Sequence, residues 1–145
     1  MKFTDKKIVL VGGCFDIVHL GHLTFLEKAK AKGNILIVLL ESDKNISENK
    51  GKNRPINNQE NRFKFLNKLK IVDKVIKLPY MKSDEEYLKI IKKIKPEIIA
   101  VSENDENWDK KKKQAKEIGA KLVKVTKTIP QKSTSRIIEI ITESF

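Results

Sequence analysis

The chain has 145 residues, 39% of them hydrophobic and 34% charged, with 31 Lys and Arg against 19 Asp and Glu for a net charge of +12. Such a length and balance suit one globular domain spanning 1–145 and exclude a disordered polymer. Its longest apolar run, Ile35–Leu40, is far too short to span a bilayer, and Cys14 as sole cysteine excludes an internal disulfide.

Lys6 and Lys7 lead straight into an apolar strand, so no signal peptide is expected, and a cytoplasmic setting away from the membrane follows. The excess charge is spread along the chain. Its one dense run, Lys110–Lys113, has no aromatic residues between the lysines, so a solvated basic surface is expected rather than a nucleic-acid interface. A positive surface still attracts polyanionic nucleotides.

Taken in order, Ile8–Val11 reads as a strand, and Gly12-Gly13 as the turn that ends it. A helix begins near Leu20 with Leu23, Leu26 and Ala29 inward and Gly33 as its stop. Ile35–Leu40 is the second strand, and Ser42–Pro55 reads as a polar, basic, mobile loop. Asn57 or Asn58 caps a helix carrying Phe63, Leu66 and Leu69. Val75–Leu78 is the third strand. Ser83-Asp84-Glu85-Glu86 forms a capping box before Leu88, Ile91 and Ile94. Ile98–Val101 is the fourth strand, Lys110–Ile118 a polar helix stopped by Gly119, and Leu122–Val125 the fifth strand. Ser133 caps a last helix with Ile137, Ile138, Ile140 and Ile141 inward. Alternating strands and helices, with strands apolar throughout, predict an α/β fold: a Rossmann-like, doubly wound parallel sheet of about five strands. Ligands of such sheets bind at the carboxyl ends of the strands.

The chemistry concentrates where the first strand meets its helix, at Gly13-Cys14-Phe15-Asp16-Ile17-Val18-His19-Leu20-Gly21-His22. Histidines three apart on a first helical turn point the same way, and Gly21 lets a ligand approach the backbone. Free N–H groups at the helix start add to a site for phosphate oxygens, and a bound polyphosphate would favour positively charged imidazoles. Cys14 is expected to be a small packing residue. A second candidate cradle is Lys132-Ser133-Thr134-Ser135-Arg136, with hydroxyls at a helix start followed by a cation. The two cradles are expected to lie within about 15 Å, the reach of a triphosphate plus side chains. Basic residues of Lys50-Gly51-Lys52-Asn53-Arg54-Pro55-Ile56-Asn57 are placed to close over a triphosphate, and Arg62 to reach an anionic group.

Together these residues resemble the cytidylyltransferase-like nucleotidyltransferase superfamily, whose signature is H-x-G-H. The Ser133–Arg136 cap is similar to that superfamily's I-S-T-T-K/R motif, with Ser135 in place of a threonine. Lys50–Asn57, Glu60-Asn61-Arg62 and Val72-Asp73-Lys74-Val75 look like the heptose-1-phosphate adenylyltransferase domain, and partly like glycerol-3-phosphate cytidylyltransferase. The likeness runs from about Lys7 to Ile141. It implies transfer of a nucleoside monophosphate, AMP favoured over CMP, from a nucleoside triphosphate to a phosphorylated small molecule such as a sugar phosphate. Pyrophosphate leaves. A CTP-dependent enzyme, an FAD-synthetase-type adenylyltransferase and a nucleotide-binding module without catalysis are the alternatives.

The nucleotide site implied comprises Gly13, Cys14, Phe15, Asp16, His19, Gly21, His22, Lys50, Ser133, Thr134, Ser135 and Arg136. In it His19, His22 and Lys50 act in catalysis and Arg62 contacts the acceptor. Mg2+ bridges the triphosphate with few protein ligands, Asp16 among them, and the protein is a homodimer. One departure stands out. Relatives carry Gly-Gly-Asp or Gly-Asp-Asp after the fourth strand, where this chain has Ser102-Glu103-Asn104-Asp105, followed by Trp108, which either stacks on a ring or packs at an edge.

Overall fold

The computed structural model describes residues 6–103 and 105–126. Five strands form one sheet: β1 (Ile8–Gly13), β2 (Ile35–Leu40), β3 (Lys74–Lys77), β4 (Ile98–Ser102) and β5 (Lys121–Thr126). The helices are α1 (Leu20–Lys30), α2 (Asp43–Lys50), α3 (Gln59–Asn67), α4 (Asp84–Ile94) and α5 (Trp108–Ile118). All pairings are parallel, in the order β3-β2-β1-β4-β5. From β1 the chain winds to β2 and β3, then crosses to β4 and β5. The order therefore reverses at the β1/β4 boundary, where such sheets open a crevice at their carboxyl edge.

Burial follows the strand period of two. Val9, Val11, Leu36, Val38 and Leu40 face one side, with Phe25, Leu26 and Ala29 of α1 and Leu66 of α3. Leu10, Ile37, Leu39, Ile99 and Val101 face the other, with Ile91 of α4 and Ala115 of α5. Trp108 packs at the margin of this second face under the Lys124 ammonium, which stands 4.5 Å from its ring centre. Among the described residues no helix is long and apolar enough to cross a membrane.

Several local expectations are revised. Ser42–Pro55 is not one irregular loop, because Asp43–Lys50 is helical, N-capped by Ser42 Oγ on Asn45 N at 3.1 Å and ended by Gly51 at φ 108°. Ile46 is its one buried apolar residue, and buried Asn45 ties it to Met81 through both backbone groups, at 2.8 and 2.9 Å. Asn58 rather than Asn57 caps α3. Ser83 makes no side-chain cap; Glu86 instead accepts the Lys82 N–H at 2.7 Å. The inner face of α4 runs through Tyr87, Ile90, Ile91 and Ile94, bypassing Leu88. Gly119 ends α5 in the left-handed region, as expected. The expected last helix, from Ser133 through Ile141, lies outside the described residues.

Gly33 does not cap α1, which closes at Ala31. It marks a close approach instead: a Cβ there would stand 2.7 Å from Val9 Cγ2 and 2.8 Å from the Lys7 carbonyl oxygen. Gly33→Ala should therefore destabilise the protein by about 1–3 kcal/mol, as overpacking against backbone does. Thermal unfolding checks this, and an unchanged melting temperature would contradict it.

Candidate functional site

Because β1 is buried on both faces and ends in two glycines, the chain leaves the sheet at its carboxyl edge and turns sharply before α1. Phe15 makes that turn with φ 46°, the left-handed region that side chains rarely occupy. Its ring lies over Gly13, where a Cβ would come within 2.9 Å of Phe15 Cε2, and 5.7 Å from the His22 ring. Gly13 is thus required by the packing of Phe15.

His19 and His22 cap α1 reciprocally. His19 Nδ1 accepts from Gly21 N at 3.0 Å, while His22 Nδ1 accepts from His19 N at 3.2 Å. This is a capping box built from two imidazoles, with ring centres 4.2 Å apart. It revises the expectation that the helix offers bare N–H groups, since the imidazoles take the Gly21 and His19 donors. Each Nδ1 is an acceptor and carries no proton, so in the neutral ring the proton sits on Nε2. The donors left to the histidine pair are therefore its two Nε2–H groups. His19 Nε2 is buried and has no hydrogen-bond partner, an open donor of the kind a phosphate oxygen fills.

Burial, then the charges of His19 and Lys50, push the pKa of His22 down to about 4. In the ligand-free chain His22 is therefore neutral near pH 7, and protonating Nδ1 would break the cap.

Lys50, the last residue of α2, is exposed but within electrostatic reach of both His22 and Cys14. The helix, rather than a mobile loop, places it there. Burial pushes the Cys14 thiol up despite Lys50, so this side chain is a neutral packing residue.

Asp16 and Arg62 take positions that the sequence did not suggest. Asp16 is buried, and its two oxygens accept Ile56 N and Asn57 N, both at 2.8 Å, with Arg54 Nε at 3.5 Å. Asn57 Nδ2 donates back to Asp16 O at 2.8 Å. The carboxylate clamps the loop before α3 to the histidine turn and does not present itself to a metal ion. Among the described residues no group of three or more His, Cys, Asp or Glu side chains could hold a metal.

Arg62 has no exposed side-chain surface, so it does not face an acceptor. Its Nη1 donates to Cys14 O at 2.8 Å and Glu41 O at 3.0 Å, its Nε to Asn57 O at 2.9 Å and its Nη2 to Asp43 Oδ1 at 2.6 Å. One guanidinium thus holds the ends of β1 and β2 and the start of α2 together.

After β4 the pairing with β5 shifts register at Val101/Ser102 and the chain turns. Asp105 accepts Asn107 N at 2.8 Å and pairs with Lys111 at 2.7 Å. Ser133, Thr134, Ser135 and Arg136 lie outside the described residues.

Sequence reasoning passed over Glu41 and Tyr87. Glu41 lies at the mouth of the same crevice, and Tyr87 OH donates to its Oε2 at 2.8 Å. The available signal was a lone acid directly after six apolar strand residues.

Comparison with known proteins identifies the family. The family model described as cytidylyltransferase-like matches residues 10–140. The FAD synthase of Thermococcus sibiricus is 40% identical over 148 residues, covering 97% of this chain and 96% of that protein. The bifunctional protein HldE of Helicobacter hepaticus is 43% identical over 140 residues, covering 97% of this chain. The chain spans only 28% and 27% of the length of two HldE proteins it matches. In fold it is similar to the lipopolysaccharide core biosynthesis protein of Thermoplasma volcanium, with a TM-score of 0.70, 28% identity and coverage of 85% of this chain and 98% of that one. A parallel α/β sheet carrying H-x-G-H at its first strand–helix turn, matched over nearly its whole length, belongs to the cytidylyltransferase-like family.

Proposed function

We propose that the chain is a nucleotidyltransferase that moves AMP from ATP to a phosphorylated small molecule. An acceptor phosphate oxygen attacks the α-phosphorus, the α–β phosphoanhydride bond breaks, and pyrophosphate leaves. The nucleophile is already an anion, so no strong base is needed, and catalysis consists of positioning and charge stabilisation. One observation carries the reading: the reciprocal cap occupies both Nδ1 atoms and leaves the proton of each neutral ring on Nε2, and the Nε2 of His19 is buried without a partner. Such donors fit the equatorial oxygens of an α-phosphate whose charge is redistributing. Lys50 reaches the triphosphate or the acceptor. Ser133, Thr134, Ser135 and Arg136 hold the β- and γ-phosphates, as the family motif implies. Mg2+ enters as the counter-ion of the triphosphate, held by phosphate oxygens rather than by Asp16. A homodimer and a cytoplasmic setting complete the proposal.

ATP is favoured over CTP because the full-length relative is named for FAD, whose second half is an adenylyl group. That same match favours a second reading in which FMN is the acceptor; the Lys50–Asn57 stretch, which looks like the heptose-phosphate enzymes, favours a sugar phosphate. A pyrophosphate-release screen of ATP and CTP against sugar phosphates, glycerol 3-phosphate and FMN tests the proposal. Release with ATP and one acceptor is expected. Nucleotide binding without release under any pairing would make the chain a binding module instead.

His22→Ala should lower kcat by about two orders of magnitude or more, the effect of removing one preorganised donor, while ATP affinity changes far less. Equal losses in both, measured by steady-state kinetics and calorimetry, would contradict a transition-state role.

The depressed His22 pKa also sets a pH dependence of folding. Its folded value near 4 lies below the ordinary 6.5, so on acidification the unfolded chain takes the proton first. This contribution is complete above about pH 6.5 and is lost as the pH falls through 4. It amounts to on the order of 2 kcal/mol once solvent screening is allowed for. Chemical denaturation from pH 7 to 4 should show that extra loss in the wild type but not in His22→Gln. Parallel curves would contradict the assignment.

A further inference from the structure

The crevice contains a carboxylate that no step above uses. Glu41 follows directly on β2, and the alternation that sends Leu39 to the α4/α5 face sends Glu41 there too. Its backbone is fixed on both sides: Glu41 N donates to Gly13 O at 3.1 Å, and Glu41 O accepts from Arg62 Nη1 at 3.0 Å. Its side chain is fixed by α4, since Oε2 accepts the Tyr87 hydroxyl at 2.8 Å. The second oxygen, Oε1, has no hydrogen-bond partner among the described residues. Glu41 and Lys50 both act on the charge of the Cys14 thiol, and Lys50 acts in turn on His22. Its contact with Gly13 and the Arg62 bridge to Cys14 O place Glu41 beside the histidine turn, on the β2 side of the crevice.

We propose that Glu41 selects the acceptor: its open Oε1, on a carboxylate held by the Tyr87 hydrogen bond, accepts a hydroxyl of a polyhydroxylated phosphate. This rests on the transferase reading above. The choice of a hydroxyl over an ammonium group follows from the neighbours. Burial pushes the Glu41 carboxyl above its usual range, against the Tyr87 hydrogen bond and the charges of Lys111, Arg62 and Lys50. Arg62 is paired with Asp43 and Lys111 with Asp105, and a cationic headgroup would meet the charge of Lys50 as a like charge. A neutral hydroxyl occupies the open lone pairs without adding charge, and its bond to a carboxylate is charge-assisted. An acceptor lacking that hydroxyl leaves a partly buried oxygen unpaired, the asymmetry from which sites of this kind derive discrimination. Tyr87 is then a positioning residue, which holds the carboxylate in one rotamer.

The test is pyrophosphate release with ATP and Mg2+ by the wild type, Glu41→Gln and Tyr87→Phe. Hydroxylated phosphates (glycerol 3-phosphate, glucose 1-phosphate and FMN) are compared with ethyl phosphate and phosphocholine. Glu41→Gln keeps the shape and the Tyr87 bond, so it should fold. It should lower kcat/KM for the best hydroxylated acceptor about tenfold or more through the acceptor's KM, leave the KM for ATP within about twofold, and leave ethyl phosphate unaffected. Tyr87→Phe should produce a smaller loss of the same pattern. Equal losses for hydroxylated and hydroxyl-free phosphates would reduce Glu41 to a structural role and overturn the proposal, as would phosphocholine proving the best acceptor of the wild type. No release by the wild type with any probe would overturn the transferase reading itself, and the role of Glu41 with it.

Discussion

What the crevice can do depends on where two imidazole protons sit. Each Nδ1 of His19 and His22 is spent on a backbone N–H of the first helical turn, so each neutral ring must carry its proton on Nε2. A helix start ordinarily binds an anion through its own amides. Here the side chains cap the helix and put longer, directional donors in place of those amides. A ring that protonated at Nδ1 would lose its cap, so local structure and donor chemistry are coupled, and burial holds His22 on the neutral side.

The surroundings keep that turn from relaxing. Phe15 holds a left-handed backbone with its ring over Gly13 and beside His22. Asp16 ties the turn to the loop at Ile56 and Asn57, and Arg62 draws the Cys14 and Glu41 carbonyls together. These are buried charges with nearly all their hydrogen-bonding capacity used, the condition under which such groups specify one geometry. They serve the site without touching a ligand. In return, Lys50 gains a fixed base on a short helix anchored by Asn45 to Met81, and its charge reaches both Cys14 and His22.

Much of this was legible in the order of residues. Five apolar runs set out five strands, and the Gly-Gly turn before H-x-G-H located the crevice, because a parallel sheet must be apolar on both faces and must bind ligands at its carboxyl edge. The parts that were not legible share a cause. The helix Asp43–Lys50 buries one apolar side chain, Ile46, too few to write a period of 3.6 into the sequence; its support comes from the distant Met81 backbone. Arg62 and Asp16 carry charges that look available for ligands, and only three-dimensional neighbours reveal that their hydrogen bonds are spent inside. Gly33 sits where a helix stop belongs, but its reason is the nearness of Lys7 and Val9. Glu41 was passed over because its partner Tyr87 lies 46 positions away.

The departure after β4 can be read in the same terms. There Asp105 folds the turn on itself through Asn107 and Lys111. Toward the other end of the chain stands the histidine turn with its two capping imidazoles. The most direct test of that end is nitrogen-detected NMR of the two histidine rings at pH 7, with and without ATP and Mg2+. The account predicts that both rings are protonated at Nε2 and bare at Nδ1 in the free protein, with the Nε2–H resonances shifting when nucleotide binds. A proton on Nδ1 of either neutral ring, or Nε2–H signals indifferent to nucleotide, would contradict it.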